Sequence, residues 1–296
     1  MDNLTHSLVG ALIGQAGLKK KTGLGMPALI IGANLPDVDA TCTIYGLESL
    51  AMRRGLTHGP IAWVLLPLVL AAILYGWDHW QAKRGKRPEG RAPVRFFWLY
   101  ALALIGCLTH PALDWLNSYG IRFLEPFSSQ WFYGDALFII DIWVWLGLGL
   151  ALWLSLRREK RQLPWKGPAQ AALAAFVAYV GFNVVLARSL QYVDTGGGTL
   201  IANPVPLAFW QRQAIWGDEP GIWYVDGRRY GDVLLTQCDL AAARADDPRL
   251  DAFLFWSRAP YVSLGEDGGW FVGDARFASR EAGRFSVALP PETCEG

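Results

Sequence analysis

The chain has 296 residues, of which 52% are hydrophobic and 15 are tryptophan, and its mean hydropathy is +0.21. This composition is more apolar than that of most soluble domains, so we expect a membrane protein. The formal net charge of +1 gives no overall attraction to nucleic acid, and we expect no nucleic-acid partner. The first basic residue is Lys19, so the N-terminus does not resemble a secretory signal peptide, and we expect insertion through the chain's own apolar segments.

Six apolar segments lie within the first 190 residues, and a helix needs roughly 17–25 residues to cross a bilayer. Four segments approach or exceed that length: residues 60–77, residues 96–109 with their flanks, residues 136–156 and residues 169–187. Two earlier segments, residues 4–18 and 25–36, are shorter and rich in glycine and alanine. We expect these two to be short or partly re-entrant and buried by the longer helices. Gly10, Gly14 and Gly17 recur at helical spacing and would let another helix approach closely.

Two connections between these segments carry most of the nearby positive charge. Residues 78–95 contain Lys83, Arg84, Lys86, Arg87, Arg91 and Arg95, and residues 157–166 contain Arg157, Arg158, Lys160, Arg161 and Lys166. Short cytoplasmic loops hold the excess of lysine and arginine, so both connections are expected in the cytoplasm. Strict alternation then places the N-terminus, residues 37–59, residues 110–135 and everything after about residue 188 on the outer side.

Beyond about residue 191 the sequence changes to polar alternation with turn signals. Asp226-Gly227 and the stretch from Glu266 to Gly269 are hairpin signatures within residues 221–235 and 253–277. We therefore expect a mainly α, membrane-embedded helical bundle over residues 1–190, followed by a small antiparallel β domain over residues 191–296 outside the cytoplasm. Cys238 and Cys294 would form one disulfide there or remain two buried thiols, and no CxxC spacing indicates a zinc finger.

Histidines and aspartates cluster at the predicted outer ends of the apolar segments. His110 and Asp114 are four residues apart, so on a helix they share one face and can reach one cation. Pro111 is compatible with the first turn of a new helix. Asp37 and Asp39 flank Val38 in a stretch expected to be extended, where positions two apart point the same way and a divalent cation would relieve their repulsion. An Asx-rich turn is the alternative for this pair.

Three of the four histidines occur in the form Thr-His at these outer ends. They are His6, His58 and His110, whereas His79 lies between tryptophans at the cytoplasmic edge and is interpreted as interfacial. Asp135 would either bind metal or cap a helix that starts near Ala136. Asp141 lies inside an apolar segment and therefore needs a partner.

Imidazole and carboxylate ligands without thiolate suit a divalent metal, with Zn²⁺ expected first and Mn²⁺ or Fe²⁺ as alternatives, bound as one or more ions. Hydrolysis is the natural chemistry of such a site. Arg53 and Arg54 beside it would clamp a phosphate or form a solvated pair on a loop. A phosphoester is therefore favoured over a peptide, and no His-Glu-x-x-His motif indicates a zinc protease.

Several short motifs together resemble the YdjM-like family of bacterial inner-membrane, metal-dependent hydrolases. They are Thr5-His6-Ser7, Pro36-Asp37-Val38-Asp39, Arg54-Gly55-Leu56-Thr57-His58, His110-Pro111-x-x-Asp114 and Gly134-Asp135 through Asp141. The resemblance covers roughly the first 190 residues and implies a multi-pass inner-membrane hydrolase; more remotely, the chain is similar to the helical zinc phospholipase C and single-strand nuclease group. This chain has Arg53, Gly59 and Ile142 where the family often has His, Ser and Pro, and the first change removes one ligand.

The leading hypothesis is a hydrolase of a small-molecule or lipid phosphoester, with its site at the outer face and membrane lipid around it. Metal binding is assigned to His6, Asp37, Asp39, His58, His110, Asp114 and Asp135. Asp39 would also act as general base and Arg54 would assist catalysis. The alternatives are a metal-binding transporter or sensor without hydrolytic activity, and a structural membrane protein whose β domain binds a partner.

Overall fold

The computed structural model describes residues 1–191, 197–278 and 285–294. The chain forms two compact units. The first, the helical unit, consists of Met1–Asp39 and Arg54–Val184, and the second, the C-terminal unit, consists of Ala40–Arg53 and Val185–Gly296. The fold is mainly α, with antiparallel sheets in the C-terminal region, as the sequence predicts.

The helices of residues 1–191 differ widely in length. They are α1 (Asn3–Gln15), α2 (Gly25–Gly32), α3 (Ser49–Met52), α4 (Pro60–Lys83), α5 (Phe96–Trp115), α6 (Ile142–Lys160) and α7 (Lys166–Gln191). Shorter 3₁₀ stretches cover Leu18–Lys21, Leu35–Glu48 and Leu56–His58.

Within the described residues, length and composition qualify α4, α5 and α7 to cross a membrane. The remaining long segment, residues 136–156, becomes α6, which begins six residues later than expected, at Ile142. Helix α6 does not qualify as a span because charged residues occupy its last turn: Arg157, Arg158, Glu159 and Lys160.

Glycines let the backbones of α1 and α5 come into direct contact with the backbone of α2. A Cβ atom on Gly10 of α1 would lie 2.8 Å from the carbonyl oxygen of Leu29 in α2, and one on Gly106 of α5 would lie 2.5 Å from the same oxygen. Helix α2 therefore lies between α1 and α5. Gly17 has another role, because its φ of +130° belongs to the chain reversal after α1.

Helices α1 and α6 run parallel between two ends of different chemistry. At one end, Trp145 Nε1 donates to both carboxylate oxygens of Asp2 at 3.1 Å. At the other end, Gln15 Nε2 donates to Glu159 Oε2 at 3.2 Å and Ser155 Oγ donates to Gln15 Oε1 at 3.3 Å. We call these the site end and the basic end. The 13 residues of α1 thus extend along most of α6.

The C-terminal unit contains two antiparallel sheets. The first has the order β1 (Thr199–Pro204), β2 (Arg212–Glu219), β3 (Ile222–Val225) and β4 (Arg228–Tyr230), and the second consists of β5 (Pro260–Leu264), β6 (Trp270–Asp274) and β7 (Ser286–Ala288). Both predicted hairpins are present. Asp226 and Gly227, with φ of +50° and +80°, join β3 to β4.

Two helices interrupt the strands, and the sequence reasoning did not predict them. They are α8 (Leu240–Asp246) and α9 (Pro248–Trp256), so residues 253–256, expected in a β segment, are helical. Helix α3 packs on α9, which brings residues 40–53 into this unit. Cys238 and Cys294 form a disulfide, which decides between the two alternatives left open by the sequence.

Candidate metal centre

Helix α5 presents His110 and Asp114 one turn apart, as their spacing predicts. Both side chains are fully buried. Pro111, which the sequence made compatible with the first turn of a new helix, instead lies inside α5, which continues from Phe96 to Trp115. A proline inside a helix removes one backbone hydrogen bond and crowds the preceding turn.

Two further donors reach this face of α5 from separate segments. Asp37 lies in the 3₁₀ stretch Leu35–Glu48, and His58 ends the 3₁₀ turn before α4. One ligand atom from each of Asp37, His58, His110 and Asp114 can be chosen so that all four atoms lie within 4.8 Å of one another. Residues separated by 77 positions therefore converge on one point at the site end of the helical unit.

The two histidines of this cluster are oriented through their Nδ1 atoms. His110 Nδ1 is 2.7 Å from the carbonyl oxygen of Ala33, which can only accept a hydrogen bond. Nδ1 must therefore carry the proton, and the lone pair of Nε2 points into the cluster. His58 Nδ1 lies 3.3 Å from Asp39 Oδ2 and 2.9 Å from Thr57 Oγ1, so its Nε2 is directed inward in the same way.

Asp39 supports His58 and is not one of the four converging donors. Its Oδ2 accepts hydrogen bonds from the Arg54 N–H and the Thr57 hydroxyl, both at 2.8 Å. Burial raises the pKa of Asp39, but the contacts from His58, Arg54 and Thr57 outweigh it and hold the pKa below its ordinary value. The expectation of an extended stretch is wrong for this pair of aspartates. Because three residues complete a 3₁₀ turn, Asp37 faces His110 while Asp39 faces His58.

Arg54 contacts both carboxylate oxygens of Asp114 through its guanidinium group. Its Nε lies 3.1 Å from Asp114 Oδ2, and its Nη2 donates to Asp114 Oδ1 at 3.3 Å. Nη1 donates to Asn117 Oδ1 at 2.8 Å and to the carbonyl oxygen of Gly120 at 3.3 Å. Arg54 is 4% exposed and has a φ of +56°, an unfavourable backbone conformation that allows its N–H to reach Asp39.

The remaining predicted ligands lie beside the cluster. The His6 ring stacks on His110 with centroids 3.8 Å apart, and its Nε2 is 3.3 Å from Asp114 Oδ1. The amino group of Met1 also contacts Asp114 Oδ1. Asp135 is buried, with a φ of +52°, but is not among the four donors. Arg53 belongs to the C-terminal unit.

The structure corrects the predicted helix cap near residue 136. Asp141, not Asp135, caps α6: its Oδ1 accepts from the N–H groups of Trp143 and Val144 at 3.0 and 3.1 Å. Its Oδ2 accepts from the Tyr179 hydroxyl at 2.7 Å. Tyr179 is therefore the partner that a carboxylate inside an apolar segment requires.

Sequence reasoning missed Asn117, which completes the contacts of Arg54. Its position three residues after Asp114, in the turn that follows α5, was the available signal. Thr57 was noticed only as part of a repeated Thr-His pair, and its hydroxyl is what connects His58 to Asp39.

Two observations fit a bound metal ion: the distances between the ligand atoms, and the buried histidine nitrogens that have no hydrogen-bond partner in the described part of the chain. Within the described residues, the buried Nε2 atoms of His6, His58 and His110 have no hydrogen-bond partner. Each lies 3.3 to 3.6 Å from a carboxylate oxygen of Asp37 or Asp114, at or beyond the long end of the hydrogen-bond range. Two donors bound to one zinc at about 2.1 Å in tetrahedral geometry lie roughly 3.4 Å apart. The imidazole-to-carboxylate distances are close to that value, so the cluster can accommodate a cation.

Apolar helices with a buried histidine and aspartate cluster define a membrane protein with a candidate metal site. The chain matches the family model described as YdjM inner membrane protein over residues 1–190, and it belongs to that family. No curated protein and no solved structure shows significant similarity to it.

Proposed function

We propose that this protein is a metal-dependent hydrolase of the bacterial inner membrane that acts on a phosphoester. The convergence of Asp37, His58, His110 and Asp114 carries the proposal. Such a set of imidazole and carboxylate donors suits Zn²⁺, with Mn²⁺ or Fe²⁺ as alternatives. When bound, the ion would lower the pKa of water and stabilise charge on a phosphoryl oxygen.

The chain's own residues would prepare this site for catalysis. Ala33 and Asp39 select the histidine tautomers that leave Nε2 free. The contacts of Asp39 favour this positioning role over the general-base role expected from the sequence. Arg54 would fix Asp114 and add positive charge near a phosphate, although its donors already contact Asp114, Asn117 and Gly120.

The distribution of charge supports one orientation in the membrane. We propose that the basic connections, residues 78–95 and 157–166, face the cytoplasm and that the site end and the C-terminal unit face the periplasm. The disulfide between Cys238 and Cys294 supports this, because disulfides persist in oxidising compartments. A site at that depth lies among lipid headgroups, so a lipid phosphoester is the proposed substrate class.

The test combines metal content with hydrolysis. Full-length protein purified in detergent is analysed for bound metal, then assayed with bis(p-nitrophenyl) phosphate and phospholipids, with and without chelator. We expect wild type to bind metal and hydrolyse a phosphoester, and His110→Ala to lose both. His79→Ala is the matched control, since His79 Nδ1 also lies 3.0 Å from a carbonyl oxygen, that of Tyr75, but outside the cluster.

Two results would overturn parts of the proposal. Metal bound stoichiometrically without chelator-sensitive hydrolysis would favour a transporter or sensor. Equal metal content in wild type and His110→Ala would show that the cluster does not hold the ion.

A further inference from the structure

The basic end of the helical unit contains a pocket that the proposed hydrolase does not use. It is open, has a volume of about 500 Å³, and lies between the 3₁₀ turn Leu18–Lys21, the end of α6 and the start of α7. Lys20, Glu159, Gln162, Trp165 and Lys166 supply its polar and aromatic walls, and Leu163 and Pro164 supply apolar surface.

Lysines surround one tryptophan in this pocket. The Nζ atoms of Lys19, Lys20 and Lys166 lie 4.6, 5.1 and 5.9 Å from the Trp165 ring centroid. Lys19 forms an ion pair with Glu159 at 2.5 Å. Among the residues that the structure describes, Lys20 and Lys166 form no ion pair. Three ammonium groups against one carboxylate leave a net charge of +2 around the pocket.

The walls of the pocket are held in place by hydrogen bonds from α6. Ser155 Oγ donates to the carbonyl oxygen of Trp165 at 2.7 Å, and Arg158 Nε donates to that of Pro164 at 2.6 Å. The connection between α6 and α7 is therefore fixed to the helix that precedes it. The lysines of the pocket therefore lie beside a connection whose backbone is held in place by hydrogen bonds.

We propose that this pocket binds the headgroup of an anionic phospholipid. The inference rests on the membrane placement proposed above, in which α7 crosses the bilayer from Lys166. Lys20 and Lys166 would contact the phosphate, and Trp165 marks the depth of the interface. The volume is far larger than one phosphate ion requires, and the apolar wall suits a glycerol backbone and acyl chain, so a lipid fits better than free phosphate.

The test measures lipid binding to the full-length protein. Protein in a neutral detergent is titrated with dioleoyl phosphatidylglycerol or dioleoyl phosphatidylcholine, and bound lipids are counted by native mass spectrometry. We expect one phosphatidylglycerol to bind at least about tenfold more tightly than phosphatidylcholine, and K20Q/K166Q to lose about tenfold or more of that affinity. Both lysines are exposed, so the fold should be retained, and K20E, which reverses the charge, should weaken binding further.

The matched control removes the same charge from the other basic connection. K83Q/K86Q replaces two exposed lysines that do not line the pocket, and it should bind phosphatidylglycerol like wild type. Equal loss in both double variants, or no preference for phosphatidylglycerol, would overturn the proposal. Displacement of the lipid by millimolar inorganic phosphate would assign the pocket to a free anion instead.

These outcomes are separate from those of the hydrolase test. K20Q/K166Q should retain the wild-type metal content, because neither lysine belongs to the metal cluster.

Discussion

At the scale of single residues, two aspartates only two positions apart have different contacts. Asp37 Oδ1 lies 3.6 Å from His110 Nε2 among the converging donors, whereas Asp39 Oδ2 binds Thr57, the Arg54 N–H and His58 Nδ1. We predict that Asp39→Asn lowers metal affinity by about 10- to 100-fold through His58, the usual cost of losing an orienting partner. Asp37→Asn should lower it at least as much.

Thr57→Val tests the orienting role of Asp39 separately from metal binding by Asp37. It removes the hydroxyl between Asp39 and His58 without touching a donor, so it should weaken metal binding in the same direction as Asp39→Asn, by a smaller factor. Asp267→Asn, in an exposed turn of the C-terminal unit, is the control. Competition with a chelator of known affinity measures all four variants. Wild-type affinity in both Thr57→Val and Asp39→Asn would show that His58 does not depend on them.

Gly59 lies against the backbone of another segment and leaves no room for a side chain. A Cβ atom at this position would lie 2.0 Å from the carbonyl oxygen of Glu125, so even the smallest side chain would collide with the backbone. We predict that Gly59→Ala displaces His58, lowers metal content and costs about 1–3 kcal/mol of stability. Gly76→Ala, in α4 with nothing within 4 Å of its added Cβ atom, should change neither metal content nor the unfolding temperature in detergent. Equal behaviour of the two variants would contradict the prediction.

At the scale of elements, local pattern predicted what depends on a single segment. The His110 and Asp114 spacing, the apolar lengths of α4, α5 and α7, and the Asp226-Gly227 turn each follow from nearby residues. The start of α6 did not, because the Tyr179 hydroxyl that binds its capping carboxylate lies 38 residues away. The same holds for Arg54, whose contacts come from the end of α5 and the loop after it. Sequence reasoning identified candidates for the site but not which of them touch.

Asp274, at the end of β6, forms a buried ion pair with Arg276 and also binds the segment after α9 in the C-terminal unit. Asp274 Oδ2 accepts from Ser257 Oγ at 2.6 Å and the Arg258 N–H at 3.0 Å, and Arg276 Nη2 donates to it at 2.8 Å. Burial raises the pKa of Asp274, but Arg276 and these hydrogen bonds outweigh it and hold the pKa below 3.8. Since the unfolded chain binds the proton first, the pair stabilises this unit above about pH 3.8 and loses its effect as the pH falls through the lowered pKa.

Asp274→Asn tests this pair. It leaves the buried Arg276 without its carboxylate, so we predict a loss of about 3–5 kcal/mol near pH 7 and less dependence on acid. Amide hydrogen exchange of β6 in the full-length protein measures the change between neutral and acidic pH. Asp251→Asn, which removes a solvent-exposed pair with Arg244, should have a much smaller effect. Similar exchange in both variants at neutral pH would rule out a stabilising role for the buried pair.

At the scale of the whole molecule, charge and chemistry separate along the helices of the first unit. Histidines and aspartates gather at the site end, where Arg54 contacts Asp114, and the two lysine- and arginine-rich connections lie at the basic end. This separation would let one bundle bind a cation at one membrane surface and an anionic headgroup at the other. The proposed orientation assigns the site end to the periplasm, and both functional proposals depend on the placement of these ends at membrane surfaces.

Cysteine accessibility tests that orientation. In a chain with the free cysteines Cys42 and Cys107 replaced by serine, we predict that Asp267→Cys reacts with a membrane-impermeant maleimide in intact spheroplasts. Lys86→Cys should react only after the membrane is opened, because the proposed orientation places the positive loop in the cytoplasm. Cys238 and Cys294 should stay unlabelled until an impermeant reductant opens their disulfide. Labelling of Lys86→Cys from outside would show that the bundle has the opposite orientation. The metal cluster would then lie on the cytoplasmic side and the lysine pocket in the periplasmic leaflet.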